Sequence, residues 1–186
     1  MPPVRAKAQL LFGVVLLLVV VHVVNVKTGG ALNQFGVVPR SPERWHHVFW
    51  APLIHTSYAH LFNNLVGLIV FSALCLMRSI RFYLVSSLFI FIVGGLLVWI
   101  FGRSASHVGA SGWIFGLWSL CVAIAWFDRR FGSIVLAVLV LFFYGGMIFG
   151  VLPSDPAVSF EMHLAGAVAG VLCAFVYGVW ARRKAR

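Results

Sequence analysis

Six long apolar runs constrain the fold of this 186-residue chain more than any other feature. A helix that spans a bilayer takes roughly 17–25 predominantly apolar residues, and runs of that length recur along the whole sequence. With 62% apolar and only 10% charged residues, the composition excludes an ordinary soluble domain and a disordered chain. We therefore predict an all-α membrane protein, one domain over residues 1–186, with spans at about 9–26, 58–77, 82–101, 111–127, 131–150 and 162–181.

The first run has a second interpretation, because Arg5 and Lys7 precede it as in a secretory signal peptide. Its apolar stretch is longer than the usual 7–15 residues of such a peptide, and no clear cleavage site of small residues follows. We expect this segment to be retained as a transmembrane helix.

The net charge of +10 is unequally divided between the two sides that six spans define. Cytoplasmic loops of membrane proteins carry an excess of lysine and arginine, and most of these residues fall on the side of the two termini. Both termini are therefore predicted to be cytoplasmic, and the charge requires no nucleic-acid partner. The terminus side carries Arg5, Lys7, Arg78, Arg81, Arg129, Arg130, Arg182, Arg183, Lys184 and Arg186, and the outer side carries Lys27, Arg40, Arg44 and Arg103.

The only long connection runs from residue 27 to residue 57 on the outer side. Trp45, Phe49 and Trp50 lie in it, and aromatic residues favour the membrane–water interface. We expect this first outer loop to lie on the bilayer surface.

Neither a cofactor nor a metal is expected. The cysteines Cys75, Cys121 and Cys173 all lie within predicted spans, where each behaves as a small apolar residue. The sequence contains no CxxC pair and no HExxH or comparable set of metal ligands.

Four of the polar residues within spans are candidates for a site, because polar groups there are costly and each one is a functional-site hypothesis. His60 and Asn64 are one helical turn apart in the second span, Ser111 begins the fourth, and His163 begins the sixth. These three spans all enter from the outer side, so the four side chains can meet at one depth. Glycine pairs that permit close helix packing accompany them, Gly112 with Gly116 and Gly166 with Gly170.

Each of these residues also has an ordinary structural interpretation. A serine at a helix start is often an N-cap, His60 and Asn64 can simply bond a neighbouring helix, and His163 can be a solvated helix end. Glu161 fits an ordinary acidic residue at a helix N-terminus. Their coincidence at one depth favours a catalytic site instead.

Together the four residues have the chemistry for acyl transfer. His163 is a base whose ordinary pKa lies near working pH, and it can activate the hydroxyl of Ser111. His60, Asn64 and the Ser111 backbone N–H are potential donors to an oxyanion. No carboxylate is placed to orient His163, so we predict a dyad, with Phe115 stacked on the histidine ring from one turn below Ser111.

Gly109-Ala-Ser-Gly112, preceded by His60-x-x-x-Asn64 and followed by His163-x-x-Gly166-x-x-x-Gly170, resembles the rhomboid family of intramembrane serine proteases, and segments such as Phe35–Arg40 are similar to a bacterial branch. The resemblance implies a six-helix bundle in the bacterial inner membrane. It also implies Ser111 as nucleophile, His163 as general base and acid, His60 and Asn64 in the oxyanion hole, and Gly109 shaping the adjacent loop. The implied substrates are single-span or other transmembrane proteins, cleaved near the outer face.

Many rhomboids have a tyrosine where this chain has Phe115, so the stacking ring is kept and its hydroxyl is missing. No soluble domain is expected before the first helix, which corresponds to a minimal form. The alternative function is that of a rhomboid-like pseudoprotease, which binds transmembrane clients without cleaving them. A channel or transporter would need polar residues through the full depth of the bundle. Finally, glycines and prolines after Tyr144 predict a loose outer end of the fifth helix, suited to act as a gate.

Overall fold

The structure, a computed structural model, describes residues 4–156 and 158–184, with side chains described through residue 181. Six helices are present in this part, each apolar and long enough to cross a membrane, so the predicted all-α six-span architecture is confirmed. The ends of the predicted domain, including Arg186, lie outside the described residues. The helices are α1 (Val4–Lys27), α2 (Tyr58–Arg78), α3 (Ile80–Phe101), α4 (Ser111–Asp128), α5 (Phe131–Tyr144) and α6 (Phe160–Lys184).

The fifth span covers Phe131–Val151 and is not α-helical throughout. The α-helix ends at Tyr144, and the span continues as a 3₁₀ helix over Gly145–Val151. Glycine is a poor helix former, and the pair Gly145-Gly146 stands where the change occurs. At the other end of the chain, α1 begins at Val4, before the predicted boundary at residue 9, because alanine and lysine favour extension of the helix.

Helix α4 forms the centre of the bundle and is the most buried of the six spans. Its main partner is α6, which also packs on α3. The glycine pairs predicted from the sequence form the contact: a side chain on Gly166 would overlap the Gly112 carbonyl, and one on Gly170 would overlap the Gly116 carbonyl. Ser119 Oγ adds a hydrogen bond to the Ala167 carbonyl oxygen at 2.8 Å. The two helices that begin with Ser111 and near His163 are thus in backbone contact.

The first outer loop is folded into three short 3₁₀ helices, at Ala31–Phe35, Pro42–Phe49 and Ala51–Leu53. About half of the surface of Trp45 and of Trp50 is exposed, as an interfacial loop requires. His47, in contrast, is buried, and its Nδ1 lies 3.0 Å from the Gly36 carbonyl oxygen.

Two buried polar residues of α1 hold this loop. His22 Nδ1 lies 3.1 Å from the carbonyl oxygen of His55, and Asn25 Nδ2 donates to the same oxygen at 3.2 Å. Because polar groups are costly within a membrane unless they are paired, this shared acceptor explains why α1 carries both residues. The two hydrogen bonds also link α1 to the loop that precedes α2.

On the terminus side, an ion pair between Arg78 and Asp128 connects the ends of α2 and α4. Ser133, in the first turn of α5, donates to the same Asp128 carboxylate at 2.9 Å. Helix α5 is otherwise the least buried span, with Tyr144 edge-on to Phe71 of α2 at a ring-centroid distance of 5.2 Å. This arrangement anchors α5 at one end and leaves most of its surface towards lipid.

Candidate functional site

Ser111 is the first residue of α4, and its side chain is half-buried. The N-cap position belongs to Ala110, and no side chain caps this helix. The N-cap interpretation of Ser111 therefore does not apply, and its hydroxyl is not committed to the helix start. Gly109, two residues before it, has a φ of +113°, a backbone conformation that side-chain-bearing residues rarely adopt.

His163 lies in the first turn of α6 and is held from two directions. Its Nδ1 is 2.8 Å from the carbonyl oxygen of Gly150, in the 3₁₀ helix that follows α5. The Phe115 ring is stacked on the imidazole at a centroid distance of 4.2 Å and an angle of 6°, so the stacking predicted from the sequence is present. A carbonyl oxygen only accepts, so Nδ1 carries the proton and Nε2 is left as the proton acceptor.

The distance between the two predicted dyad members is set by the α4–α6 contact. A Cβ on Gly112 would lie 3.1 Å from the carbonyl oxygen of Met162, so the backbones next to Ser111 and His163 nearly touch. Within the described part of the chain, the two side chains are not hydrogen-bonded to each other. Catalytic hydrogen bonds are often long before substrate binds and tighten afterwards.

His60 and Asn64 both face the turn at Gly109. A Cβ on Gly109 would lie 2.6 Å from His60 Nε2 and 3.3 Å from Asn64 Nδ2, so only glycine leaves room for both side chains. The Asn64 amide nitrogen is buried and has no partner among the described residues. A buried donor without a partner is costly, and here it is directed at the turn that leads into Ser111.

Thr56 orients the His60 ring. Its hydroxyl lies 3.3 Å from His60 Nδ1, and when the hydroxyl donates, the proton of the neutral imidazole is on Nε2, next to Gly109. Thr56 was not predicted from the sequence as a site residue. A hydroxyl four residues before a histidine, at a helix start, is the signal that would have found it.

His55 lies in the loop before α2, and its ring packs against that of His60 at a centroid distance of 5.0 Å. Its Nε2 accepts a hydrogen bond from the Ala110 backbone N–H at 3.4 Å. Burial, with a further contribution from nearby His60, lowers the pKa of His55 to about 4. His55 is therefore neutral at neutral pH and can accept this bond.

Two residues near the site are used elsewhere. Both ring nitrogens of His107 have partners, Ser159 Oγ at 2.6 Å and the Arg103 carbonyl oxygen at 3.1 Å, so this histidine is not a rival base. Glu161 Oε1 is 3.3 Å from Arg103 Nε. Among residues 4–156 and 158–184, no cluster of three histidine, cysteine or acidic side chains suited to a metal is found.

The arrangement supplies what acyl transfer needs. The Ser111 hydroxyl lies at the start of α4, which contacts the helix that carries His163. The His60 and Asn64 side chains face the turn at Gly109, which leads into Ser111. The His163 ring is oriented by a backbone carbonyl and an aromatic ring, which add no charge beside it, whereas a carboxylate has that position in the usual serine triad.

Comparison with known proteins agrees with this architecture. The Rhomboid domain model matches residues 42–180, which include all four predicted site residues. Two uncharacterised proteins, one from Mycobacterium tuberculosis and one from Mycobacterium bovis, are each 34% identical over 181 residues, which cover 92% of this chain and 75% of the relative. An uncharacterised protein from Mycobacterium leprae is 30% identical over 169 residues, or 86% of this chain and 67% of the relative. The chain therefore belongs to the rhomboid family.

Proposed function

We propose that this protein is an intramembrane serine endopeptidase that uses Ser111 and His163 as a dyad. The observation that carries the proposal is the state of His163, whose Nδ1 is bonded to the Gly150 carbonyl and whose ring is stacked on Phe115. A histidine held in this way presents Nε2 as a base on the helix in contact with that of Ser111. Rhomboid-family membership supports the same reaction, since the family typically consists of intramembrane serine proteases.

In the proposed mechanism, Ser111 Oγ attacks the carbonyl carbon of the scissile peptide bond while His163 Nε2 takes the hydroxyl proton. The carbonyl oxygen becomes an oxyanion and accepts hydrogen bonds from the Asn64 amide and from His60 Nε2. One such donor is typically worth about 2.7–4 kcal/mol of barrier. The tetrahedral intermediate then collapses, the C–N bond breaks, and His163 gives its proton to the leaving amine.

Hydrolysis of the acyl-enzyme repeats these steps with water as the nucleophile. His163 Nε2 removes a proton from water, the resulting hydroxide attacks the ester carbon, and Ser111 Oγ leaves with the proton from the histidine. Through both halves of the reaction the imidazolium form is stabilised by the Gly150 carbonyl at Nδ1. Phe115 keeps the ring plane constant during both proton transfers.

The proposed substrates are single-span or other transmembrane proteins, and the proposed location is the bacterial inner membrane. The site residues are near the ends of α2, α4 and α6 that lie opposite the basic chain termini. By the positive-inside rule this is the outer side. Cleavage there releases the outer part of the substrate.

The test is labelling and cleavage by the purified protein in liposomes. We expect a fluorophosphonate probe to label Ser111 and a single-span model substrate to be cleaved, with both activities abolished in Ser111→Ala and His163→Ala. Ser154→Ala and His46→Ala are matched controls, because both side chains are exposed and lie outside the proposed site. Equal cleavage by wild type and the dyad variants contradicts the assignment, and substrate binding without cleavage by wild type supports the pseudoprotease alternative.

A further inference from the structure

His107 joins three outer segments of the protein and has no part in the mechanism above. It lies in the loop between α3 and α4 and is 1% exposed. Its backbone pairs with Val37 of the first outer loop through two hydrogen bonds of 2.9 Å. Its ring reaches Ser159, the residue before α6, with Nδ1 2.6 Å from the serine oxygen.

The direction of each hydrogen bond in this cluster follows from its partners. The Arg103 carbonyl, 3.1 Å from His107 Nε2, can only accept, so Nε2 carries the ring proton. Nδ1 of the neutral ring therefore accepts from the Ser159 hydroxyl. Ser159 Oγ in turn accepts from the Met162 backbone N–H at 3.2 Å, so this hydroxyl both caps α6 and donates to His107.

Ser159 determines where the first turn of α6 begins. Besides the cap to Met162, its carbonyl oxygen accepts from the His163 backbone N–H at 3.4 Å. His107 is four residues before Ser111 in the other segment. The bond between His107 and Ser159 is therefore a direct link between the segment that leads into the nucleophile and the turn that carries the base.

Arg103 provides a second link between the same two segments. Its Nη2 donates to the carbonyl oxygens of Pro156 and Val158, each at 2.9 Å, and its Nε is 3.3 Å from Glu161. Arg103 thus holds the loop that precedes α6, whereas His107 bonds Ser159, the residue that caps the start of α6. Misplacement of a reacting group by about 1 Å can cost about 100-fold in rate, so a link at this point bears directly on a dyad without a carboxylate.

We propose that His107 is a positioning residue that sets the separation of Ser111 and His163 through its hydrogen bond with Ser159. His107 does not touch the substrate, and this inference rests on the proposed protease function. The link to α6 is made by Nδ1, which bonds Ser159, because Nε2 bonds only Arg103 in the loop to which His107 itself belongs.

Two substitutions of His107 separate the two nitrogens. The asparagine amide occupies the place of Nδ1, so His107→Asn preserves the bond to Ser159, whereas the glutamine amide occupies the place of Nε2 and His107→Gln loses that bond. We expect kcat to fall about 10- to 100-fold in His107→Gln, with KM within about twofold. In His107→Asn, kcat should stay within about threefold of wild type, because the link is kept. The fluorophosphonate labelling rate of Ser111 should follow kcat in both variants.

Ser159 tests the same link from the other side. We expect Ser159→Ala to lower kcat about 10- to 100-fold, Ser159→Thr to restore it by returning the hydroxyl, and the double variant His107→Gln/Ser159→Ala to lose no more than either single one. Ser154→Ala is the matched control, an exposed serine of the same loop. Thermal unfolding of each variant identifies any that fail to fold. If the His107 variants fail to fold, the Ser159 variants alone test the proposal.

If the wild type cleaves its substrate and both His107→Gln and Ser159→Ala have the same kcat as wild type, the proposal is overturned and the protease function is unaffected. The same holds if His107→Asn and His107→Gln lose activity equally, because the bond to Ser159 then does not matter, or if the double variant loses the product of the two single losses. Failure of the wild type itself to label and to cleave overturns the protease function, and this inference with it.

Discussion

At the scale of single residues, the Phe115 ring is the group that keeps the His163 imidazole in plane. A stacked pair of rings contributes about 0.5–1.5 kcal/mol beyond the area it buries. We expect Phe115→Leu to lower kcat by up to about tenfold with little change in KM, since about 1.4 kcal/mol corresponds to tenfold in rate. Initial rates in liposomes over a range of substrate densities measure both constants.

Phe115→Tyr keeps the ring and serves as the control for that prediction. Because the stacking surface is unchanged, its kcat should stay within about threefold of wild type. If kcat falls as much in Phe115→Tyr as in Phe115→Leu, the space available near Gly150, and not ring stacking, determines which residue is tolerated at position 115.

His55 is the residue that should make stability depend on pH. Its pKa is about 4 in the folded protein, lowered by burial and then by His60, and about 6.5 in the unfolded chain. The unfolded chain thus binds more protons between these values, so the contribution of neutral His55 is complete above about pH 6.5 and is lost as the pH falls towards 4. At about 1.4 kcal/mol per pKa unit, the loss is on the order of 3 kcal/mol.

Thermal unfolding in detergent between pH 7 and pH 4.5 measures this dependence. We expect the midpoint of wild type to fall over this range, and His55→Gln, which does not titrate, to show a smaller fall. His46→Gln removes an exposed histidine and should behave as wild type. Identical pH dependence in wild type and His55→Gln would rule out His55 as the source.

At the scale of helices, the contact between α4 and α6 determines the geometry of the site. A methyl group on Gly166 would overlap the Gly112 carbonyl, so Gly166→Ala must push the two helices apart. Overpacking of this kind costs about 1–3 kcal/mol, and the displacement separates Ser111 from His163. We expect both a lower unfolding midpoint and a lower kcat.

Gly13→Ala is the control for the helix contact, because nothing lies within 4 Å of a side chain added at Gly13 of α1. It should leave activity unchanged and stability equal or slightly higher, as alanine is the better helix former. If Gly166→Ala matches Gly13→Ala in both measurements, the close contact does not limit the site.

Helix α5 is the element expected to move when substrate enters. It is the least buried span, and its outer end continues into the 3₁₀ helix that carries Gly150. Cysteine pairs that cross-link the outer ends of α2 and α5 should slow cleavage of a spanning substrate and leave labelling of Ser111 by a small fluorophosphonate largely unchanged. Unchanged cleavage after complete cross-linking would exclude this route, and reduction of the cross-link should restore the rate.

At the scale of the whole molecule, the charge distribution predicts the orientation in the membrane. Lysine and arginine are concentrated on the side of the termini, which we expect to be cytoplasmic. A fluorescent protein that folds only in the cytoplasm should fluoresce at the carboxyl terminus, and alkaline phosphatase should be inactive there. The opposite pair of results would reverse the orientation and place the site on the cytoplasmic side.

Much of the fold and part of the site could be predicted from the sequence. Hydrophobicity is a property of each residue and accumulates along the chain, so the six spans were visible as runs of apolar residues. Helical periodicity then placed Asn64 one turn from His60, and Phe115 one turn from Ser111, in agreement with the structure. The 3₁₀ conformation after Tyr144 was not predicted, because apolarity does not distinguish an α-helix from the tighter 3₁₀ helix.

Only the tertiary structure decided which groups meet across the helices. The Gly150 carbonyl bonds His163, the His55 carbonyl bonds His22, and Ser159 bonds His107. Every residue has a backbone carbonyl, so an acceptor of this kind has no signature in the sequence and is selected by the position of the backbone alone. The sequence by itself thus determined the membrane environment and the residue types of the proposed site, and helix packing decided how the proposed base, His163, is held.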